Sequence, residues 1–517
     1  MEDEIGYDFV MLSKIFSAAV SGLDAEIVEV EVDLARGMPG FTIVGLPDAA
    51  VQEAKDRVRS AIKNSECEFH PQRITVNLAP ADIRKSGPSY DLPIAVGMLL
   101  ASGQVSLPDL STTLFIGELA LDGLTRPVAG ILPIVIGAKA RGFTRFFVPT
   151  ANAREAAIIE SIEIIPVDSL QTLMAHTTGS AIEPLPTLDP SELLETAIDE
   201  MDMNQVQGQE HAKRALIIAA AGGHNLLMNG PPGSGKTLLA RTFRTILPRL
   251  TLPEMLEITK IYSVAGLLPT EQPLINTRPY RGVHHTASAV SIVGGGTTPG
   301  PGEISLAHRG ILFLDEIAEF PSKVLEVLRQ PLEDGTITIS RASGTLHFPA
   351  RFTLIAAMNP CPCGYATDNE RACRCSPVEI SRYQKKLSGP LLDRIDMHIE
   401  VPRLKFEKLA AVQSGESSVT IRERVEQARA VQATRFAKLG ITSNSEMSST
   451  QVKKYCPIDE KTEELLRQAV THFQLSARAY YRILRLSRTI ADIEGSDAIS
   501  LQHVAEALQY RTKVGQE

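Results

Sequence analysis

One octapeptide constrains this chain more than any other stretch: Gly230-Pro231-Pro232-Gly233-Ser234-Gly235-Lys236-Thr237. It follows an apolar run ending at Asn229 that reads as a buried strand, and it precedes Leu238 to Phe243, which reads as a helix. Strand, glycine-rich loop and helix in that order make a phosphate cradle. The glycines let successive backbone N–H groups turn inward, and the helix N-terminus adds partial positive charge. Lys236 can then reach the β- and γ-phosphates of a nucleotide, and the Thr237 hydroxyl can ligate Mg²⁺. The expectation is a parallel α/β domain that binds ATP or GTP.

Two further apolar runs end in polar residues of the right kind. Ile311-Leu312-Phe313-Leu314 leads into Asp315-Glu316. A buried parallel strand would deliver Asp315 to the Mg²⁺ shell, and Glu316 would orient and deprotonate the attacking water. Taken alone, such a pair also fits a core strand followed by a helix-capping Asp. Thr353 to Met358 leads into Asn359-Pro360. An amide there can hold the water or the γ-phosphate, although Asn at a strand end also serves as a turn residue.

With Ser388-Gly389-Pro390-Leu391-Leu392-Asp393-Arg394-Ile395-Asp396 added, the set resembles an AAA+ ATPase. The Leu-Leu-Asp-Arg-Ile-Asp form resembles the magnesium-chelatase and MCM branch of that superfamily. By this resemblance Arg394 is a finger offered to the neighbouring subunit's ATP, where a guanidinium stabilises charge on the transferring phosphoryl group. The local alternative pairs Arg394 with Asp393 or Asp396. In Leu475-Ser476-Ala477-Arg478, the resemblance makes Arg478 the residue that reaches over the γ-phosphate. Arg482, Arg485 and Arg488 follow at helical spacing and fit a solvated face equally well. A finger in trans requires a ring or filament, and the resemblance implies a homo-hexamer.

Four of the six cysteines fall within 15 residues: Cys361, Cys363, Cys373 and Cys375. Two Cys-x-Cys pairs can supply four thiolates to one tetrahedral Zn²⁺, with free thiols or a redox switch as alternatives. Two insertions flank the carboxylate strand. Val283 to Glu303, rich in glycine, reads as a loop pointing at a pore, and its His284-His285 pair reads as polar filler whose side chains diverge. Gly335 to Phe348 reads as a β-hairpin and resembles the hairpins that touch DNA in related rings, with Arg341 near its tip placed for phosphate.

The expected organisation is multidomain α/β: an α+β domain over 1–176, a linker over 177–200, the ATPase over 201–402 with the cysteine insertion at 361–375, and a helical lid over 403–517. In the first domain, Lys85 to Asp91, Gly117 to Gly123 and Pro127 to Pro133 resemble the proteolytic domain of Lon. Ser89 falls on the nucleophile, but the position of the lysine base is Leu132, which cannot take a proton. A Lon-like fold without peptidase activity follows. Net charge of −9 leaves any nucleic-acid contact to a local basic surface. No apolar run approaches a membrane span, and the acidic start Met1-Glu2-Asp3-Glu4 is unlike a secretory leader, so a cytoplasmic protein is expected.

Over nearly its whole length the chain resembles the ComM/YifB family. That resemblance implies an ATP-driven hexameric motor on branched or single-stranded DNA, promoting branch migration during natural transformation. A magnesium-chelatase ATPase subunit and an ATP-dependent protease are the alternatives.

Overall fold

The computed structural model describes every residue except 1–11, 191, 195–200, 297–299, 342–343, 369, 405–414 and 512–517; the side chains of Leu194 and Arg341 also lie outside the described set. The chain divides into two units, 1–195 with 252–276, and 196–251 with 277–517.

The first unit is built on a seven-stranded mixed sheet. In spatial order its strands are Gly40–Val44, Arg73–Ala79, Asp24–Ala35, Leu12–Ser21, Thr113–Phe115, Arg145–Pro149 and Glu163–Val167. The alternation read at Glu26 to Val32 sets one strand face inward: Val28, Val30 and Val32 are fully buried while the glutamates between them are not. Helix Ala49–Asn64 begins where the Asp48 carboxylate accepts the Val51 amide at 2.9 Å, and it buries Val51, Ala54, Val58, Ala61 and Ile62, a stripe at helical spacing. Helix Asp91–Ala101 is buried on almost every side, as its unbroken apolar sequence requires.

Two features depart from the sequence reading. The described part of the 177–200 linker is tied to this unit, with the Leu185 amide donating to the Ile164 carbonyl and the Leu188 amide to that of Ala157. Residues 252–276, inside the span 201–402 read as one region, group with the first unit. Their helix Leu252–Val264 buries Met255, Ile258, Thr259 and Ile261, and the Ser263 hydroxyl donates to the buried Glu155 carboxylate.

The second unit holds a five-stranded parallel sheet. Its spatial order is Tyr280–Val283, Ile311–Leu314, Thr353–Met358, Leu226–Asn229 and Met397–Glu400. The strand that comes first in sequence sits between the fourth and the fifth, so the order reverses beside it, the place where open parallel sheets bind ligands. A β-hairpin, Thr336–Arg341 with Gly344–Pro349, stands before strand Thr353–Met358 as expected. The glycine-rich insertion forms a short helix, Ala289–Val293, and a two-residue strand pair, Gly294–Gly295 with Gly300–Pro301. The C-terminal portion is helical: Ser418–Phe436, Ser449–Tyr455, Glu460–Phe473, Ala477–Ile493 and Leu501–Gln509. Arg482 and Arg488 do not form a solvated face. Arg482 is buried and donates to the Ile395 carbonyl at 2.8 Å, and Arg488 is buried against Asp492 at 2.9 Å.

Candidate nucleotide site

The octapeptide leaves the C-terminal end of strand Leu226–Asn229 and ends in helix Lys236–Phe243. Gly233 and Gly235 adopt φ of 76° and 89°, left-handed values that disfavour any side chain with a Cβ. The Lys236 ammonium folds back onto the loop, donating to the carbonyls of Gly230 at 2.6 Å and Pro231 at 2.9 Å and lying 3.4 Å from Asn359 Oδ1. Burial lowers its pKa to about 8 against the opposing pull of Asp315 and Glu316. Among the described residues, the buried Ser234 hydroxyl has no hydrogen-bond partner. An inward-folded cation, an orphaned hydroxyl and two left-handed glycines fit a polyphosphate.

The carboxylates arrive as the apolar strand implied. Strand Ile311–Leu314 is wholly buried and ends at Asp315, whose Oδ2 accepts from the Thr237 hydroxyl at 3.0 Å. That hydroxyl and carboxylate are the two protein oxygens a Mg²⁺ would take, so the donor set fits the ion. Glu316 follows with φ of 50°, a left-handed conformation rare outside glycine. Its Oε2 lies 3.6 Å from His285 Nδ1. The His284 and His285 rings are 4.1 Å apart, so the expected divergence of the pair is overturned. Strand Tyr280–Val283 ends just before them and delivers His285 to the carboxylate edge of the sheet. That strand carries Arg281 and Gly282 and no apolar run, which is why its role was missed in the sequence.

Arg394 and Arg478 are brought together, but not at this loop. Glu333 accepts from Arg394 Nη2 at 2.7 Å on one oxygen and from Arg478 Nη2 at 2.7 Å on the other. The Arg394 guanidinium holds the Glu333 carboxyl below its usual range. Neither Asp393 nor Asp396 is the partner of Arg394, whose other described bond runs to the Pro390 carbonyl at 2.6 Å. Among the described residues, neither arginine hydrogen-bonds to the phosphate loop, Asp315, Glu316 or Asn359.

The four cysteines converge. The Cys361 sulfur lies 3.4 Å from that of Cys363 and 3.7 Å from that of Cys373, and Cys363 to Cys373 is 3.6 Å. All four sulfurs lie within 4.8 Å of one another. A tetrahedral Zn²⁺ with about 2.3 Å bonds sets its sulfurs about 3.8 Å apart, whereas a disulfide needs about 2.05 Å. Backbone amides of Arg374 and Tyr365 aimed at Cys363 pull its thiol down to about 6. The set fits a metal as donors and as geometry.

In the first unit, Ser89 lies on the half-buried turn Pro88–Tyr90. Leu132 is fully buried, with its amide donating to Glu155 at 3.0 Å. Lys85 is buried and donates to the Pro80 carbonyl, and Lys139 donates to that of Glu160 at 2.7 Å. Among the described residues, no lysine hydrogen-bonds to Ser89. No described helix is long and apolar enough to cross a membrane.

Three family models match consecutive parts of the chain: "Subunit ChlI of Mg-chelatase" over 30–152, "Magnesium chelatase, subunit ChlI" over 202–409, and "Magnesium chelatase, subunit ChlI C-terminal" over 415–511. The chain is 44% identical over 508 residues to competence protein ComM of Haemophilus influenzae, covering 97% of this chain and 98% of that one. It is 44% identical over 503 residues to the uncharacterized protein YifB of Escherichia coli, 97% of each chain. A Lon protease of Mycolicibacterium smegmatis is 25% identical over 178 residues, 32% of this chain and 22% of that protein. Identity of 44–45% sustained over 97% of the chain places it in the ComM/YifB family of magnesium-chelatase-like proteins.

Proposed function

We propose that the protein is an AAA+ ATPase that assembles as a homo-hexamer and drives branch migration of branched or single-stranded DNA during natural transformation. One observation carries the hydrolytic part: Lys236, Thr237, Asp315, Glu316 and Asn359 meet at the reversal point of a parallel sheet, at hydrogen-bonding distance or one residue removed from it. Mg-ATP supplies the triphosphate and the metal charge. Gly230, Pro231, Pro232, Gly233, Ser234 and Gly235 offer backbone and hydroxyl groups to the phosphates, Lys236 neutralises them, and Thr237 with Asp315 holds the Mg²⁺. Glu316 takes the proton of the attacking water, and Asn359 orients that water.

Arg394 and Arg478 complete the site on an adjoining subunit. Their shared tie to Glu333 supports this reading, because it leaves the subunit's own phosphate loop without an arginine and keeps the pair together for one target. Stabilisation of transferring-phosphoryl charge by such a group is worth about 10³-fold or more in turnover. The DNA part rests on the relative named as a competence protein and on the hairpin Thr336–Arg341/Gly344–Pro349, which offers an edge for a phosphate backbone. The four cysteines hold one Zn²⁺ per chain. The first unit keeps a Lon-like fold as a scaffold and cleaves no peptide.

The test is an ATPase assay with and without three- and four-stranded DNA junctions, read together with strand displacement. Stimulation by junctions and displacement that disappears in Lys236→Ala are expected. Turnover indifferent to every DNA form removes the motor reading. The family-model descriptions favour a chelatase subunit as the second reading, and ATP-dependent Mg²⁺ insertion into a porphyrin by this chain with partner subunits would establish it.

A further inference from the structure

The cysteine knuckle does not stand apart from the nucleotide site. Cys361 comes two residues after Asn359, and the turn that follows is pressed onto the phosphate loop. Gly364 has φ of 86°, and a Cβ built there would stand 2.6 Å from Pro232 Cδ. Only a glycine lets the two turns approach so closely.

Between the two cysteine pairs the chain makes an excursion whose described residues are organised by Asp368. Its Oδ1 accepts the amides of Glu370 at 2.7 Å and Arg371 at 3.2 Å. The Arg371 guanidinium stacks over Tyr365, 5.2 Å from the ring centre, and donates to its hydroxyl at 2.8 Å. Glu370 is thereby turned outward, where its Oε2 pairs with Arg403 Nη1 at 3.4 Å. Arg403 also lies 3.8 Å from Asp368 Oδ2.

Glu370 and Arg403 form one wall of a cavity of about 410 Å³. Gly233, Ser234 and Gly235 of the phosphate loop, Leu238, Gln207 and Gln209 also line it. This space adjoins the phosphate cradle and is lined by the apolar Val206, Leu238 and Leu239 together with glutamine amides and the Glu370 carboxylate. Such a mixture suits a planar base with a ribose whose hydroxyls donate to a carboxylate.

We propose that the Cys361–Cys375 knuckle, closed around its metal, is the movable wall of the nucleoside pocket, so that affinity for a nucleoside triphosphate depends on metal occupancy. This deepens the proposed function and rests on two of its parts, the bound nucleotide and the bound zinc. Zinc ties Cys361-Cys363 to Cys373-Cys375 and closes the excursion into a loop of fixed shape. Without the metal its two ends are free to separate, and the entropy of ordering Glu370 must be supplied by the nucleotide itself. The triphosphate end keeps its own cradle. Loss of metal is therefore expected to weaken the hold on the nucleoside more than the hold on the phosphates, whose loop touches the knuckle at Gly364 but is anchored by its own strand and helix.

The experiment uses the full-length protein. Zinc per chain is measured by elemental analysis, affinity for ATP by displacement of a fluorescent ATP analogue, and affinity for inorganic tripolyphosphate by the same displacement. The wild type is expected to carry one zinc. Cys373→Ser with Cys375→Ser is expected to carry none and to bind ATP about tenfold more weakly, with tripolyphosphate affinity within about twofold of wild type. Glu370→Gln, which touches no sulfur, is expected to keep its zinc and weaken ATP by about threefold to tenfold, again sparing tripolyphosphate. Zinc lost with ATP affinity unchanged, or ATP and tripolyphosphate weakened equally, overturns the wall. A wild type free of zinc under reducing, metal-replete preparation overturns the metal reading instead, and a wild type that binds neither ligand overturns the nucleotide reading.

Discussion

The phosphate loop and the Ser89 turn are built alike, and only one of them is surrounded by groups still available for chemistry. Each is a short turn bearing glycine and proline that runs into a helix, Lys236–Phe243 in one case and Asp91–Ala101 in the other. Around Lys236 stand Asp315, Glu316 and Asn359, with a hydroxyl on Ser234 that has no hydrogen-bond partner among the described residues. Around Ser89 the polar side chains are already spent. Asp91 is fully buried and clamped by Arg57 at 2.6 Å and 3.0 Å, Lys85 is committed to a carbonyl, and Leu132 is a buried apolar residue. Removing one partner of a buried ion pair strands the other charge, so Arg57 and Asp91 are held to each other.

The strongest way to break that contrast is Lys236→Ala. It is expected to reduce nucleotide binding and ATP turnover to background, since among the described residues no other cation is hydrogen-bonded within the loop. Retained turnover would show that Lys236 is not needed for hydrolysis. Arg394→Ala is expected to keep binding of the fluorescent nucleotide and to lower turnover about 10³-fold. Full turnover in that variant would make the site complete within one subunit.

A third effect is pH dependence. The buried Lys236 titrates near 8 in the free protein, and a bound triphosphate raises that value by its negative charge. Below pH 8 the amine is charged in both states and affinity is flat. Above it, binding must take up a proton, so affinity falls by up to about tenfold per pH unit until the value of the complex is reached. Titrations at pH 7, 8 and 9 decide this, and affinity that holds steady through pH 9 would mean the lysine is not a phosphate ligand. The smallest effect belongs to the other side of the comparison. Ser89→Ala is expected to leave ATP turnover and thermal stability unchanged, within about 0.5 kcal/mol, with peptide hydrolysis at background before and after. Peptide cleavage lost on that substitution would restore the serine to function.

Much of the second unit was legible because parallel strands buried on both faces are written as unbroken apolar runs. Leu226–Met228, Ile311–Leu314 and Leu354–Met358 declare themselves, and each hands its next polar residue to the same edge. Strand Tyr280–Val283 lies at the edge of the sheet, is apolar at only two positions and went unread, and His285 was lost with it. The surroundings of Arg482 and Arg488 were left open for a different reason. Helical spacing tells which residues share a face but not what covers that face, and here the cover is the Ile395 carbonyl and the Asp492 carboxylate. Glu333 was invisible, since nothing local marks a helix-terminal glutamate as the common partner of arginines 61 and 145 residues away (394 − 333 and 478 − 333). Arg341, expected at the hairpin tip, has its side chain outside the described residues.

The excursion at 252–276 limits how this chain can be cut. After helix Lys236–Phe243 the backbone leaves the second unit, lays helix Leu252–Val264 on the first, and returns as strand Tyr280–Val283. A fragment beginning near residue 201 would keep every nucleotide-binding residue yet carry Met255, Ile258 and Ile261 with nothing to cover them. Such a fragment should come out of cells sticky and aggregated, and splitting the gene between the two halves should call for co-expression to keep either product in solution.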